Sequence, residues 1–178
     1  MGGEMMQLKG KRIAILLAEG VEDLEYYVPM MRLQEEGAEV LSSGLEMKPV
    51  RGKNGLQITP TTLIDTLNID ELDGLIIPGG WAPDKLRRYT LVTDLVHNMD
   101  AAGKPIGIIC HGGLVAVSAR IVKGHKVTGS LGIKDDLVNA GGIWMNEPAF
   151  SEGNLVWGRV VADIPDFCRE LIKTFSKS

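Results

Sequence analysis

Cys110 and His111 stand next to each other where a short apolar run, Pro105-Ile-Gly-Ile-Ile109, stops and Gly112-Gly113 opens a helix-like segment. A thiol at a strand-to-helix turn is exposed at the carboxyl end of its strand. It also lies near a helix N-terminus, whose partial positive charge favours thiolate over thiol. The chemistry this suggests is nucleophilic attack, with the adjoining imidazole pairing with the sulfur. Spacing alone leaves a second reading open, in which Cys110 is a small buried hydrophobe beside an incidental histidine. A second turn of the same kind follows Leu75-Ile-Ile-Pro78, where Gly79 and Gly80 let the main chain approach a ligand closely. The backbone amides there could meet a developing oxyanion, or the pair is a plain tight turn.

Three runs are suited to strands buried on both faces: Ile13-Ala-Ile-Leu-Leu17, Leu75-Ile-Ile77 and Ile106-Gly-Ile-Ile109. Each ends in a polar or glycine turn, and in an open α/β sheet ligands bind at that end. Between the runs, helical periodicity recurs. Leu24, Val28 and Met31 share a face of a segment that closes at Gly37 and contains Pro29, expected to kink it. Leu91, Leu95 and Met99 mark a helix closed by Gly103, and Leu114 to Ile121 another. Leu63 to Ile69 reads as a short helix, Lys126 to Gly129 as a short strand and Ile133 to Ala140 as a helix. Trp144 to Phe150 and Leu155 to Val160 suggest an antiparallel pair. The last helix opens with Asp163 as N-cap and Pro165 in its first turn, and buries Ile164, Cys168, Leu171, Ile172 and Phe175. Alternating strand and helix predicts a mostly parallel sheet with helices on both faces.

At 178 residues with 44% hydrophobic side chains, the chain can bury a core of its own and is expected to form one domain over 1–178, with residues 1–11 a flexible N-terminal extension. Net charge −4 and no basic cluster beyond Lys9 to Arg12 point away from nucleic acid and anionic membranes. Met1 to Arg12 lacks the apolar core of a signal peptide, and the two cysteines sit in unlike contexts rather than in a disulfide framework. A cytoplasmic location is expected. No phosphate-binding glycine loop and no Cys-x-x-Cys or His-x-x-x-His pair occurs, so neither a nucleotide, a metal nor another cofactor is expected. His97 and His125 read as solvated.

Ile109-Cys-His-Gly112, Pro78-Gly-Gly80, Glu22-Asp23 after the first strand, Arg32-Leu33 with Glu35-Glu-Gly37, and Gly132-Ile-Lys-Asp-Asp136 together resemble the PfpI-type intracellular protease family of the PfpI/ThiJ superfamily. The likeness runs from about Arg12 to Phe175. It implies a flavodoxin-like three-layer sandwich with Cys110 as nucleophile at a strained elbow, His111 beside it and Glu22 hydrogen-bonded to the sulfur. It also implies that Asp84 orients His111 from a neighbouring subunit, within a dimer or hexamer. The backbone of Gly79, Gly80 and His111 would serve the oxyanion. Gly113 stands where the family commonly has proline, and Ser130 where some members carry tyrosine. The activity so implied is hydrolysis of peptide or amide bonds. Alternatives are glyoxalase or deglycase chemistry on methylglyoxal-type aldehydes and their adducts, or a cysteine redox sensor or stress chaperone.

Overall fold

The three apolar runs become neighbouring strands in the computed structural model, which describes residues 5–178. In chain order the elements are β1 (Arg12–Leu17), α1 (Asp23–Glu35), β2 (Glu39–Gly44), β3 (Val50–Arg51), β4 (Gln57–Ile58), β5 (Thr62–Leu63), β6 (Gly74–Ile77), α2 (Ala82–Leu86), α3 (Thr90–Ala101), β7 (Ile106–Ile109), α4 (Gly113–Ser118), β8 (Lys126–Val127), α5 (Lys134–Asn139), β9 (Ile143–Trp144), β10 (Ala149–Glu152), β11 (Leu155–Gly158) and α6 (Ile164–Phe175). Seven strands form one sheet in the order β10-β11-β7-β6-β1-β2-β5, parallel except for the edge strand β10. The fold is thus the expected flavodoxin-like α/β sandwich.

β1 is buried from Ile13 to Leu17, and β6 and β7 are buried throughout, which is why these strands carry no polar alternation. Gly107 interrupts the β-branched run of β7 because α6 presses on it: a Cβ there would stand 2.5 Å from Leu171 Cδ2. α6 buries Ile164, Phe167, Cys168, Leu171, Ile172 and Phe175, the expected stripe with Phe167 added. The chain leaves β1 for β2 on one side and later reaches β6 on the other. The switch in strand order therefore falls beside β1, and the carboxyl ends of β1, β6 and β7 open on one crevice.

Several expectations are corrected. Within the expected flexible extension, Leu8 is anchored to the body: it is fully buried and its N–H donates to Glu36 O at 2.8 Å, while Gln7 N–H reaches Glu36 Oε2 at 2.9 Å and Met5 and Met6 stay exposed. Residues 1–4 lie outside the described part of the chain. On α1 the Leu24, Val28, Met31 face is exposed, and the core side carries Glu25, Tyr26, Pro29 and Leu33 instead. The stretch read as a helix from Leu63 is the end of β5 followed by two single 3-10 turns, Ile64–Thr66 and Ile69–Glu71. Of Trp144 to Phe150, only the two ends are strand: β9 pairs parallel with β8, and β10 pairs with β11. Asp163 holds the N-cap position of α6 but makes no capping bond, because its carboxylate is taken by Arg159 Nε at 2.8 Å. Among the described residues no helix is long and apolar enough to cross a membrane.

Candidate active site

β7 is still extended at Ile109, with φ −129°, and Cys110 then reverses to φ +57°, which a non-glycine residue adopts only at a cost of about 1 kcal/mol or more. The reversal carries the chain into a 3-10 turn, Cys110–Gly112, and on into α4. Gly112 follows because the turn runs against β6, where a Cβ would collide with the Ile77 carbonyl oxygen. The cysteine is left half-buried at the mouth of the crevice. His111 Nδ1 lies 3.3 Å from Cys110 Sγ, and the His111 backbone N–H also faces the sulfur. On the other side of the ring, a Cβ on Gly132 would stand 3.4 Å from His111 Nε2, and the Gly132 N–H donates to Ser130 Oγ at 3.3 Å. Gly132, two residues after the position where some family members carry tyrosine, is therefore at the imidazole's edge.

The carboxyl that faces the thiol is that of Glu25, not Glu22. Glu25 lies in the first turn of α1, is fully buried, and accepts the Gly79 N–H at 2.7 Å through Oε2. Its other oxygen is buried without a hydrogen-bond partner of standard geometry among the described residues. Glu22, one turn earlier, turns toward the loop between β3 and β4. Asn54 Nδ2 donates to its Oε1 at 2.6 Å, and Lys53 Nζ stands 3.9 Å from its Oε2. The expected Glu22–sulfur hydrogen bond is corrected accordingly. The cause is the direction of α1, which presents its Glu25, Tyr26, Pro29 side to the sheet.

Gly79 and Gly80 are placed by the same crowding. A Cβ on Gly79 would come within 2.5 Å of Glu25 Oε2 and 2.9 Å of Cys110 Cβ, and one on Gly80, at φ +81°, would overlap the backbone of Gly20 and Glu22. The Gly79 amide, expected to serve an oxyanion, is already donated to Glu25. That leaves the Gly80 amide, which makes no hydrogen bond among the described residues, and the His111 amide. Asp84 sits exposed on α2 and pairs with Arg88, so within the protomer it is not brought to His111.

Electrostatics follow from burial. Loss of solvent pushes the Glu25 carboxyl up to about 8, against the Gly79 N–H that lowers it, so Glu25 is protonated at neutral pH. Burial first, and then the charge of ionised Glu25, push the Cys110 thiol up to about 12, opposed by the His111 amide. The thiolate expected from a helix N-terminus does not hold in this resting geometry, because α4 is only six residues long and Cys110 is largely desolvated. His111 is lowered by burial and by the charge of Lys53, so it is a neutral base near pH 7. The site thus holds a thiol, an imidazole free to accept its proton and an uncharged carboxylic acid. Among the described residues no group of three or more His, Cys, Asp or Glu side chains is arranged to hold a metal ion.

Sequence reasoning missed Glu25, Lys53 and Asn54. The available signal was spacing: Glu22, Glu25, Tyr26, Pro29 and Leu33 follow a 3-4 helical period, so Glu25 shares the stripe of the large buried residues.

Comparison with known proteins bears on the family and the fold. The DJ-1/PfpI family model matches residues 11–174. Deglycase PfpI of Pyrococcus furiosus is 37% identical over 162 residues, covering 91% of this chain and 98% of the relative. "Putative cysteine protease YraA" of Bacillus subtilis is 34% identical over 161 residues, covering 90% and 95%. Among solved structures, the DJ-1/ThiJ/PfpI-like part of a two-domain Anabaena variabilis protein, which also has a ferritin-like domain, matches with TM-score 0.90 and 32% identity. That match covers 92% of this chain and 47% of the other.

Proposed function

The chain belongs to the DJ-1/PfpI family, and we propose that it is a cysteine-dependent enzyme acting on 2-oxoaldehydes and their adducts with amines, the chemistry of a glyoxalase or deglycase. The observation that carries this reading is Glu25: a fully buried carboxyl facing the nucleophile, with a pKa of about 8. A group titrating near the working pH can both give and take a proton, and moving a proton between the two carbons of a hemithioacetal needs such a group in addition to the imidazole that serves peptide hydrolysis. Four archaeal relatives that carry the name deglycase, at 36% to 37% identity, support the same choice.

In this reading neutral His111 takes the Cys110 proton through Nδ1 as sulfur adds to the aldehyde carbon, and the carbonyl oxygen becomes the hydroxyl of a hemithioacetal. The Gly80 and His111 amides lie where they can stabilise that oxygen while its charge develops. With an amine adduct, the carbon–sulfur bond forms as the carbon–nitrogen bond breaks, and the amine leaves with a proton. The ionised fraction of Glu25 then removes the proton from C1 and returns it to C2 while the C1 hydroxyl proton passes to the C2 oxygen, converting the hemithioacetal to a 2-hydroxyacyl thioester. Water cleaves the thioester to the 2-hydroxy acid and restores the thiol.

Peptide hydrolysis by the same thiol is the second reading, favoured by the protease-named relative. Assays of wild type, Cys110→Ser and Glu25→Gln on methylglyoxal, a glycated peptide and an unmodified peptide separate the two. Loss of aldehyde and adduct turnover in both variants, with no peptide cleavage by wild type, supports the first reading. Cleavage of unmodified peptide that survives Glu25→Gln overturns it.

We further propose that the working form is a homo-oligomer, with Asp84 oriented toward His111 of a second subunit. Among the described residues His111 has no acidic partner within its own protomer, and Asp84 is exposed and held there by Arg88 alone, on a single helical turn. Mixing Cys110→Ala with Asp84→Ala under subunit exchange should restore part of the activity. Confirmed exchange with no restoration rejects the shared site.

A further inference from the structure

On a chain of net charge −4, the cleft formed by Gly20, Trp81 and the loop between β3 and β4, next to the Gly79-Gly80 turn, is cationic. It measures about 470 Å³ and is lined by Arg51, Lys53, Lys85 and Trp81, with Glu19 its one acid. The Glu19 carboxylate is engaged by the Arg51 N–H at 3.0 Å. The loop between β3 and β4 that supplies Lys53 is fastened over the carboxyl end of β1 rather than left free. The Gly20 N–H donates to Arg51 O at 2.9 Å and the Lys53 N–H to Val21 O at 2.8 Å. Asp23, 2% exposed, accepts the Asn54 N–H at 2.7 Å through one oxygen and the Leu56 N–H at 2.8 Å through the other. This clamp fixes where the Lys53 side chain starts.

The ammonium itself is under-used. Lys53 Nζ is 3.9 Å from Glu22 Oε2, too far for a tight hydrogen bond, and Glu22 is already held by Asn54. Its other neighbour is the face of Trp81, 5.8 Å to the ring centroid, and that indole is 61% exposed at the mouth of the site. The charge nevertheless reaches the reacting groups, since Lys53 lowers both His111 and Glu25.

We propose that Lys53 is a specificity-determining residue: it selects carbonyl substrates that carry an acidic group, carboxylate or phosphate, close to the carbon attacked by Cys110. Arg51 and Lys85 extend the same field along the cleft, and Trp81 forms its apolar wall. The substrate class rests on the carbonyl reading above; the local field at the thiol does not depend on it.

The test compares a charged and a neutral alkylating agent. Iodoacetate and iodoacetamide rates at Cys110 are measured by peptide mass spectrometry in wild type, Lys53→Met and Lys53→Arg, with Cys168 as the internal control. The iodoacetate-to-iodoacetamide ratio at Cys110 is expected to fall about 5- to 10-fold in Lys53→Met and to recover in Lys53→Arg, the size expected for a focused local charge. In parallel, glyoxylate and glyceraldehyde 3-phosphate, which can form the hemithioacetal but have no ketone at C2 to be isomerised, are measured as competitive inhibitors of methylglyoxal turnover. The inhibition constant that rises further in Lys53→Met identifies carboxylate or phosphate as the recognised acid. An alkylation ratio at Cys110 unchanged in a folded Lys53→Met protein overturns the proposal, even if the enzyme turns over aldehydes. A fall in that ratio without turnover of any carbonyl compound upholds the cationic recognition and rejects the carbonyl reading instead.

Discussion

The two cysteines make an instructive pair. Cys168 lies in the buried stripe of α6 and is 6% exposed, and burial pushes its thiol up to about 11. Cys110 is pushed up to about 12, also chiefly by burial. Ionisation in the resting fold therefore does not tell them apart. What differs is the company each keeps. Cys110 stands at φ +57° with an imidazole 3.3 Å from its sulfur and a carboxyl of pKa about 8 facing it, whereas Cys168 is surrounded by apolar side chains with only Arg32 to lower it. In the proposed chemistry, reactivity comes from groups that can move the thiol proton, not from a permanently ionised sulfur.

The largest effect that would sharpen this contrast is loss of turnover. Cys110→Ser should reduce kcat/KM for methylglyoxal by roughly 10⁴-fold or more, as removal of a nucleophile does, while Cys168→Ala should leave it unchanged. Loss of activity in both would erase the distinction.

Next comes stability. The folded pKa of Glu25 is raised from 4.5 to about 8, so the folded state holds this proton more tightly than the unfolded chain. Its stabilising contribution is complete below pH 4.5 and is lost as pH rises through 8. Over that window the wild type should lose on the order of 5 kcal/mol relative to Glu25→Gln. Urea unfolding of both proteins at several pH values measures the difference, and parallel curves would contradict the buried acid.

In turnover, Glu25→Gln keeps an acceptor for the Gly79 N–H but cannot shuttle a proton. It should lower kcat/KM for methylglyoxal by about 10²- to 10⁴-fold at neutral pH, the usual range for losing a general acid–base group. The smallest effect belongs to the quiet cysteine: Cys168→Ala should cost roughly 1–2 kcal/mol by opening a small cavity in the α6 packing, read as a modest fall in the urea midpoint.

The sheet was legible because β1, β6 and β7 are buried on both faces and so appear as unbroken apolar runs. The elbow was legible because Cys110-His111-Gly112 ends one of them. Glu25 was not, since two acids three residues apart at the start of a helix differ only in how the helix axis lies on the sheet, a tertiary fact. The same ambiguity put Leu24, Val28 and Met31 on the expected inner face, whereas α1 turns them outward. Lys53 and Asn54 reach the site through two-residue strands fastened by the buried carboxylate of Asp23, a long-range contact with no local pattern. The short 3-10 turns after β5 were hidden for a similar reason, because Leu63, Leu67 and Ile69 fit a helical period over too few residues to separate the two.

The central claim is that Glu25, rather than Glu22, governs the Cys110 proton. The rate of Cys110 alkylation by iodoacetamide, measured from pH 6 to 10 in wild type, Glu22→Gln and Glu25→Gln, tests it most directly. Below about pH 8 neutral Glu25 can donate to the sulfur, and above it the carboxylate charge opposes ionisation. The wild-type and Glu22→Gln profiles should therefore share an inflection near pH 8 that disappears in Glu25→Gln. An inflection that survives in Glu25→Gln, or that disappears only in Glu22→Gln, would contradict the account.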